Sequence, residues 1–292
     1  MGVIRVLVAV LLATASPAAA PGDILVAYES GVDAYAEALQ GLSAVLGPNA
    51  FRALDLRAGN HDLGQALAAR DIRLVVAVGS RALAEVQSHH GAAPVIATMV
   101  LRPGEADASG GHVDLDLPLS AQLQAMRALL PQRLRVGILR NPARSRYSAE
   151  ALEARARKEG YAAIVVDCGG PGSLLKAVGS LKGKVDFLLC FPDPDLYNPV
   201  TIKPLLVATL EDRLPIVGFS PAFVRAGAAA GIYPDYRETG RQTGEMALRV
   251  LRGEDRGASE GPRKIHIAVN QRVARLLGVD FRTGALPVEV LR

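Results

Sequence analysis

The side chains best placed for chemistry stand just beyond the ends of short apolar runs. After the first run come Tyr28, Glu29 and Ser30; after the third, Gly79 and Ser80; after the fourth, Thr98 and Met99. Further along, Asn141 and Ser145, Phe191 and Asp193, and Phe219 and Ser220 hold the same kind of position, and Tyr233 and Asp235 flank Pro234. In open α/β sheets, ligands bind outside the carboxyl ends of the strands, so these positions make a candidate site. The mix suits recognition of a small amphipathic solute. Aromatic faces would take its apolar body, and Glu29, Asp193 and Asp235 an amine. Ser80, with the helix start behind it, would take a carboxylate. Phe219 and Met99 read equally well as core packing, and Asp193 as the cap of a turn before Pro194.

No constellation for bond-making accompanies them. Where a dinucleotide enzyme carries G-x-G-x-x-G, this chain reads Tyr28-Glu29-Ser30-Gly31, and the P-loop, H-E-x-x-H and G-x-S-x-G patterns are missing. The five histidines, His61, His89, His90, His112 and His266, are scattered, and His89-His90 reads as an exposed helix end. No catalytic residue, metal or cofactor is therefore expected, and the chain is not expected to be an enzyme.

The elements that must position these residues alternate. The runs DILVAYES, FRALDL, LVVAVGS and PVIATMV read as strands, with helices over 33–46, 62–69 and 81–89 between them. Residues 102–118 (RPGEADASGGHVDLDLP) then break the pattern, and a crossover is expected near 113–117. The alternation restarts with strands LRVGILR, YAAIVVD, VDFLLCFP, LPIVGFS and GAAAGIY, separated by helices. Apolar strands alternating with helices mean parallel sheets buried on both faces, and two successive series mean two similar α/β lobes. After GAAAGIY, Pro234 ends the ladder, and a helix with Gly240 and Gly244 on one face runs to Gly253. This strand-to-helix passage is read as a hinge between lobes; an ordinary βα unit within one sheet is the alternative. KIHIAVN and a short helix to Leu277 close the pattern.

With 292 residues, 50% hydrophobic and 21% charged, the chain suits one large or two ordinary domains. A formal charge of +4 without a dense basic block argues against nucleic acid as a partner, and the VARLLGVD fragment alone does not reverse that. Residues 1–20 have a short n-region ending at Arg5, an apolar run and small residues at 15–20. They read as a cleaved secretory signal peptide, so the chain is expected to be periplasmic. Cys168 and Cys190 end the runs expected to be second and third strands of the second lobe. The first strand lies between them in a doubly wound sheet, so they are expected to be free, buried thiols.

The segments VGILRNP, DFLLCFPDPD, LPIVGFSPAFVRAGAAAGIYPDYRETGRQTGEMALRVLRGE and IHIAVNQRVARLLGVD resemble the substrate-binding proteins of ABC transporters. The branch is the one with a type I periplasmic-binding fold that includes tryptophan- and tyrosine-binding members. The resemblance is strongest over 136–279, and GRQTGEMALRVLRGE is its most specific part. Family members tend to carry Asp-Pro after the fourth strand, where this chain reads Thr98-Met99-Val100-Leu101-Arg102-Pro103. The resemblance implies two doubly wound parallel-sheet lobes joined by a three-strand hinge. Residues 22–113 plus 235–260 would form the first lobe, and 114–234 plus 261–292 the second. It further implies capture of a small-molecule ligand by hinge closure, a monomer, and delivery to the membrane permease of an ABC transporter. An exported sensor that presents solute to a receptor kinase is the alternative.

Overall fold

The computed structural model describes residues 23–59, 62–89, 91–101, 108–254, 257–284 and 287–291. The signal-peptide reading of 1–20, like His61 and His90, lies outside the described residues. Among those described, no helix is long and apolar enough to cross a membrane.

Two sheets organise the chain. The first contains β1 (Ile24–Tyr28), β2 (Arg52–Asp55), β3 (Leu74–Val78), β4 (Val95–Val100), β5 (Gly111–Asp114) and the two-residue β11 (Ser259–Glu260). Its order is β11-β5-β4-β3-β1-β2, and every pairing is parallel. The second contains β6 (Arg135–Arg140), β7 (Ala162–Asp167), β8 (Phe187–Leu189), β9 (Ile216–Gly218), β10 (Ala230–Pro234), β12 (Ile265–Asn270) and β13 (Val288–Leu291). Its order is β13-β12-β10-β9-β8-β6-β7, with β10 and β12 antiparallel. The strands are continuous apolar runs because both faces are covered. Ile24, Val26, Leu74 and Val76 enter one core, whereas Leu25, Ala27, Val75 and Ala77 enter another on the opposite face.

Helices α1 (Asp33–Leu46), α2 (Leu63–Leu67) and α3 (Ser80–Ser88) alternate with the first series of strands. The helices α4 (Leu119–Leu129), α5 (Ala149–Lys158), α6 (Pro171–Leu181), α7 (Ile202–Glu211) and α8 (Pro221–Ala226) accompany the second. After β10, α9 (Tyr236–Leu251) packs against α1, β3, β4 and β5 of the first sheet. The passage at Pro234-Asp235 therefore changes sheets and is not a βα unit within one. The chain crosses in the same way between β5 and α4 and between β11 and β12, while α10 (Gln271–Leu277) follows β12.

β6 lies between β7 and β8, so strands spaced about 4.8 Å apart hold Cys168 and Cys190 two steps from each other. Both are free and buried. Three strands fall where no strand was read: β5, whose four residues GHVD lie in the stretch read as a break with a crossover, β11 and β13. β11 is two polar-sided residues, and β13 reads VEVL at the far edge; neither has the length that makes an apolar run visible.

Candidate functional site

A cavity of about 730 Å³ opens at the carboxyl ends of β6, β8 and β9, next to the three passages between sheets. Its walls come from Ile138 to Asn141, Ser145, Phe191, Asp193 and Phe219 in the second sheet's loops. Asp114 to Leu117, with Pro234 and Gly261, close it on the hinge side, and Gln122, Leu152 and Arg155 extend it between α4 and α5. Apolar and charged groups alternate around it, which suits an amphipathic solute.

Five of the expected residues meet there: Asn141, Ser145, Phe191, Asp193 and Phe219. Several are tied into the loops that build the wall. Asn141 is buried, accepts from the Ala143 amide at 3.1 Å and donates to Asp195 Oδ2 at 3.3 Å. The Arg144 guanidinium hydrogen-bonds Asp195 and holds its carboxyl below the usual range. Ser145 Oγ donates to the Tyr147 carbonyl at 2.9 Å. Asp193 accepts from the amides of Asp195 and Leu196 at 2.9 and 3.2 Å, which is the turn-capping geometry. Phe219 lines the cavity and also packs edge-on against Phe223, with ring centroids 5.3 Å apart.

The candidates from the first sheet gather elsewhere. Tyr28, Glu29 and Ser30 line a shallower recess of about 710 Å³ against α1, beside Val32 and Leu39. Glu29 is 2.9 Å from Arg81 and 3.9 Å from Arg57, so this carboxylate already has cationic partners. The Ser30 amide donates to Asp55 Oδ1 at 3.0 Å. Gly79, Ser80, Thr98 and Met99 line neither recess. Gly79, at φ 93°, lets the Tyr35 ring lie against bare backbone, where a Cβ would come within 2.4 Å of the phenol oxygen. Ser80 is exposed at the start of α3. Thr98 is buried and accepts from Thr243 Oγ1 at 2.8 Å. Met99 takes φ 57° where the β4–β5 register shifts, and its side chain is buried in the first sheet's core.

Ser220, after β9, and Tyr233 and Asp235, at the passage between sheets, also lie outside both recesses. Ser220 caps α8 by accepting from the Phe223 amide at 3.2 Å. Asp235 caps α9 by accepting from the Glu238 amide at 2.9 Å, and its other oxygen is 3.2 Å from His266 Nε2. Tyr233 is stacked between Tyr236 and His266, and burial pushes its phenol up to about 12.

Several wall residues were not among the sequence candidates: Asp114, Asp116, Gln122, Arg146 and Arg155. Gln122 carried a signal. It is a polar residue, 3% exposed, on a helix face otherwise held by Leu119, Leu123 and Met126. The two aspartates lie where the chain has no helical or strand period long enough to orient them.

Residues 62–283 match the family model of the ABC transporter substrate binding protein. A curated relative, the tyrosine-binding protein of Clostridioides difficile (strain R20291), is 27% identical over 175 residues, 56% of this chain and 50% of that protein. The match thus spans about half the length of that relative. Among solved structures, the ligand-free, open form of a substrate binding protein with adhesive properties from Clostridium difficile aligns with a TM-score of 0.71. Identity is 18%, over 92% of this chain and 98% of that one. A Streptococcus pneumonia ABC domain in complex with L-Trp aligns with a TM-score of 0.61 at 18% identity, over 92% and 100% of the two chains. At such identity these two structures establish the shared two-lobed fold. With the family model matched over most of its length, the chain belongs to the ABC transporter substrate-binding protein family.

Proposed function

We propose that this chain is the exported, solute-capturing component of an ABC importer. Residues 22–113 plus 235–260 act as one lobe, and 114–234 plus 261–292 as the other. The lobes close about the three crossing segments on a small amino-acid-like or aromatic solute, and the loaded protein is presented to a membrane permease. It binds its solute without turning it over. The observation that carries this reading is the cavity of about 730 Å³ at the strand ends, with Asp114 to Leu117 and Pro234 of the crossings in its wall. A solute seated there touches the parts that must move, so its contacts can favour closed over open. The tyrosine-binding relative supports an amino-acid-like solute.

A thermal-shift screen of amino acids, aromatic acids, small amines and sugars on the exported protein tests this. A solute at 100 times its Kd stabilises by about 2.7 kcal/mol. Stabilisation by one such class, followed by vesicle uptake with the permease, is the expected result. Steady turnover of the bound compound, or capture by a receptor kinase with no uptake through a permease, would replace the reading.

A further inference from the structure

The acid expected to hold a solute amine was Glu29, Asp193 or Asp235, and each has other work. Glu29 is paired with Arg81 and Arg57, Asp193 caps its own turn, and Asp235 caps α9 beside His266. Asp116, at the cavity edge, is ion-paired with Arg146 at 3.3 Å. Asp114 differs from all of these. Its Oδ1 is sealed from solvent and has no hydrogen-bond partner among the described residues. His112 Nε2, two positions back on β5, comes only to 3.5 Å, and Ser259 Oγ reaches Oδ2 only at 3.5 Å. The side chain keeps 18% exposure, and the residue lines the cavity. Burial has thus removed hydration from this carboxylate in return for two long contacts, and a cation in the cavity would add a close partner at the part of the group that stays exposed.

A second acceptor lies in the same wall. Gln122 is 3% exposed, and its Nε2 donates to the Leu117 carbonyl at 3.1 Å. Only the amide nitrogen can donate to a carbonyl, so that bond fixes which end of the side chain is which. Oε1 is left as an acceptor, and Gln122 also lines the cavity. The fixed groups on either side of the 115–118 crossing therefore present acceptors.

We propose that Asp114, with Gln122 as a second acceptor, forms an ammonium subsite at the hinge side of this cavity. This deepens the solute-capture reading and rests on it: the solute is a primary amine or amino acid whose apolar body lies toward Phe191 and Phe219. The subsite also puts ligand charge on the segment through which the first sheet hands the chain to the second.

Calorimetric titration tests it with four probes: L-tyrosine, L-tryptophan, tyramine, which lacks the carboxylate, and 3-(4-hydroxyphenyl)propionate, which lacks the ammonium. The expected result is binding of ammonium-bearing probes and loss of at least tenfold in affinity for the propionate. Asp114→Asn, which keeps shape but not charge, should lose at least tenfold for ammonium probes and nothing for the propionate. Gln122→Leu should weaken them less. Because the contacts of Asp114 in the ligand-free protein, to His112 and Ser259, are both as long as 3.5 Å, Asp114→Asn should unfold no lower in temperature than the parent. Equal affinity of parent and Asp114→Asn for an ammonium probe would overturn the subsite while leaving solute capture standing. So would preference for the propionate, or for a neutral sugar in the wider screen. Binding of no probe and no screened solute would overturn both.

Discussion

Gly240 of α9 lies directly on the Ala38 carbonyl of α1: a Cβ built at Gly240 would sit 1.9 Å from that oxygen. Gly41 makes the reciprocal approach, since its Cβ would meet the Arg237 carbonyl at the same 1.9 Å. The two helices thus touch backbone to backbone, and the helix that follows the Pro234-Asp235 passage is fixed to the first sheet's layer. Whatever bends at this passage must bend before Tyr236.

The contact predicts opposite signs for two glycine-to-alanine changes. Alanine is the better helix former by about 1 kcal/mol, so Gly179→Ala, at a site in α6 with nothing within 4 Å, should stabilise by roughly that amount. Gly240→Ala should instead destabilise by about 1–3 kcal/mol or more, because the clash is with backbone that cannot rotate away. Urea unfolding of both variants checks this. Equal shifts in the two would mean that the helices are not in backbone contact.

The approach was partly legible in the sequence, because Gly240 and Gly244 mark a small face on an otherwise amphipathic helix. The partner helix was not, since nothing local tells α9 that α1, some 200 positions earlier, will meet it. The same division holds across the molecule. Long apolar runs such as Leu74–Val78 announced buried parallel strands, and Cys168 and Cys190 followed from strand order. The site was harder to read. Strand-end logic offered Asn141, Phe191, Asp193 and Phe219, which line the cavity, and equally Met99 and Tyr233, which do not, because position along a strand does not say which way a residue faces after a bulge or a hinge.

The buried acids predict alkaline lability. Burial raises the Cys190 thiol from 9.0 to about 12, and Tyr233 rises from 10.0 to about 12. Both stay protonated in the folded chain at pH values where the unfolded chain has begun to ionise. Their contribution is therefore complete below pH 9 and is lost as the pH climbs from 9 toward 12. Stability measured by denaturant at pH 8 and pH 10.5 should fall, and Cys190→Ala should flatten part of the slope. In the folded protein at pH 8, alkylation of Cys190 should be slower than in urea by orders of magnitude, since both access and thiolate are withheld. Rapid modification of both thiols in the native state would contradict their burial.

Asp235 predicts a stability effect that a simple ligand contact would not have. Its carboxylate caps α9 through the Glu238 amide, so Asp235→Ala should destabilise by about 0.5–2 kcal/mol, whereas Asp235→Ser retains a capping oxygen and most of the stability. Asp235→Asn keeps the cap and removes only the charge that faces His266. Thermal unfolding of the three variants separates these roles. If the alanine and serine variants unfold together, the cap is not what Asp235 contributes.

The last prediction concerns motion. In this structure the second-sheet candidates line one recess and Tyr28, Glu29 and Ser30 another, so a solute seated on Phe191 and Phe219 does not share a recess with Tyr28 or Glu29. A closing rotation about the three crossings is the movement that brings the Arg57 and Arg81 edge toward it, because three strands leave the lobes essentially one axis. Ligand can drive this only by binding the closed form better, and to move the equilibrium from 1:99 to 99:1 it must prefer that form by about 10⁴-fold. Small-angle scattering with and without saturating solute should therefore show a smaller radius of gyration when loaded. Arg81→Ala should weaken binding while leaving the unliganded profile unchanged, since Arg81 is exposed and its ion pairs among the described residues are with Glu29 and Glu85. A loaded protein with the unliganded profile would mean that the second sheet's cavity holds its solute without closure.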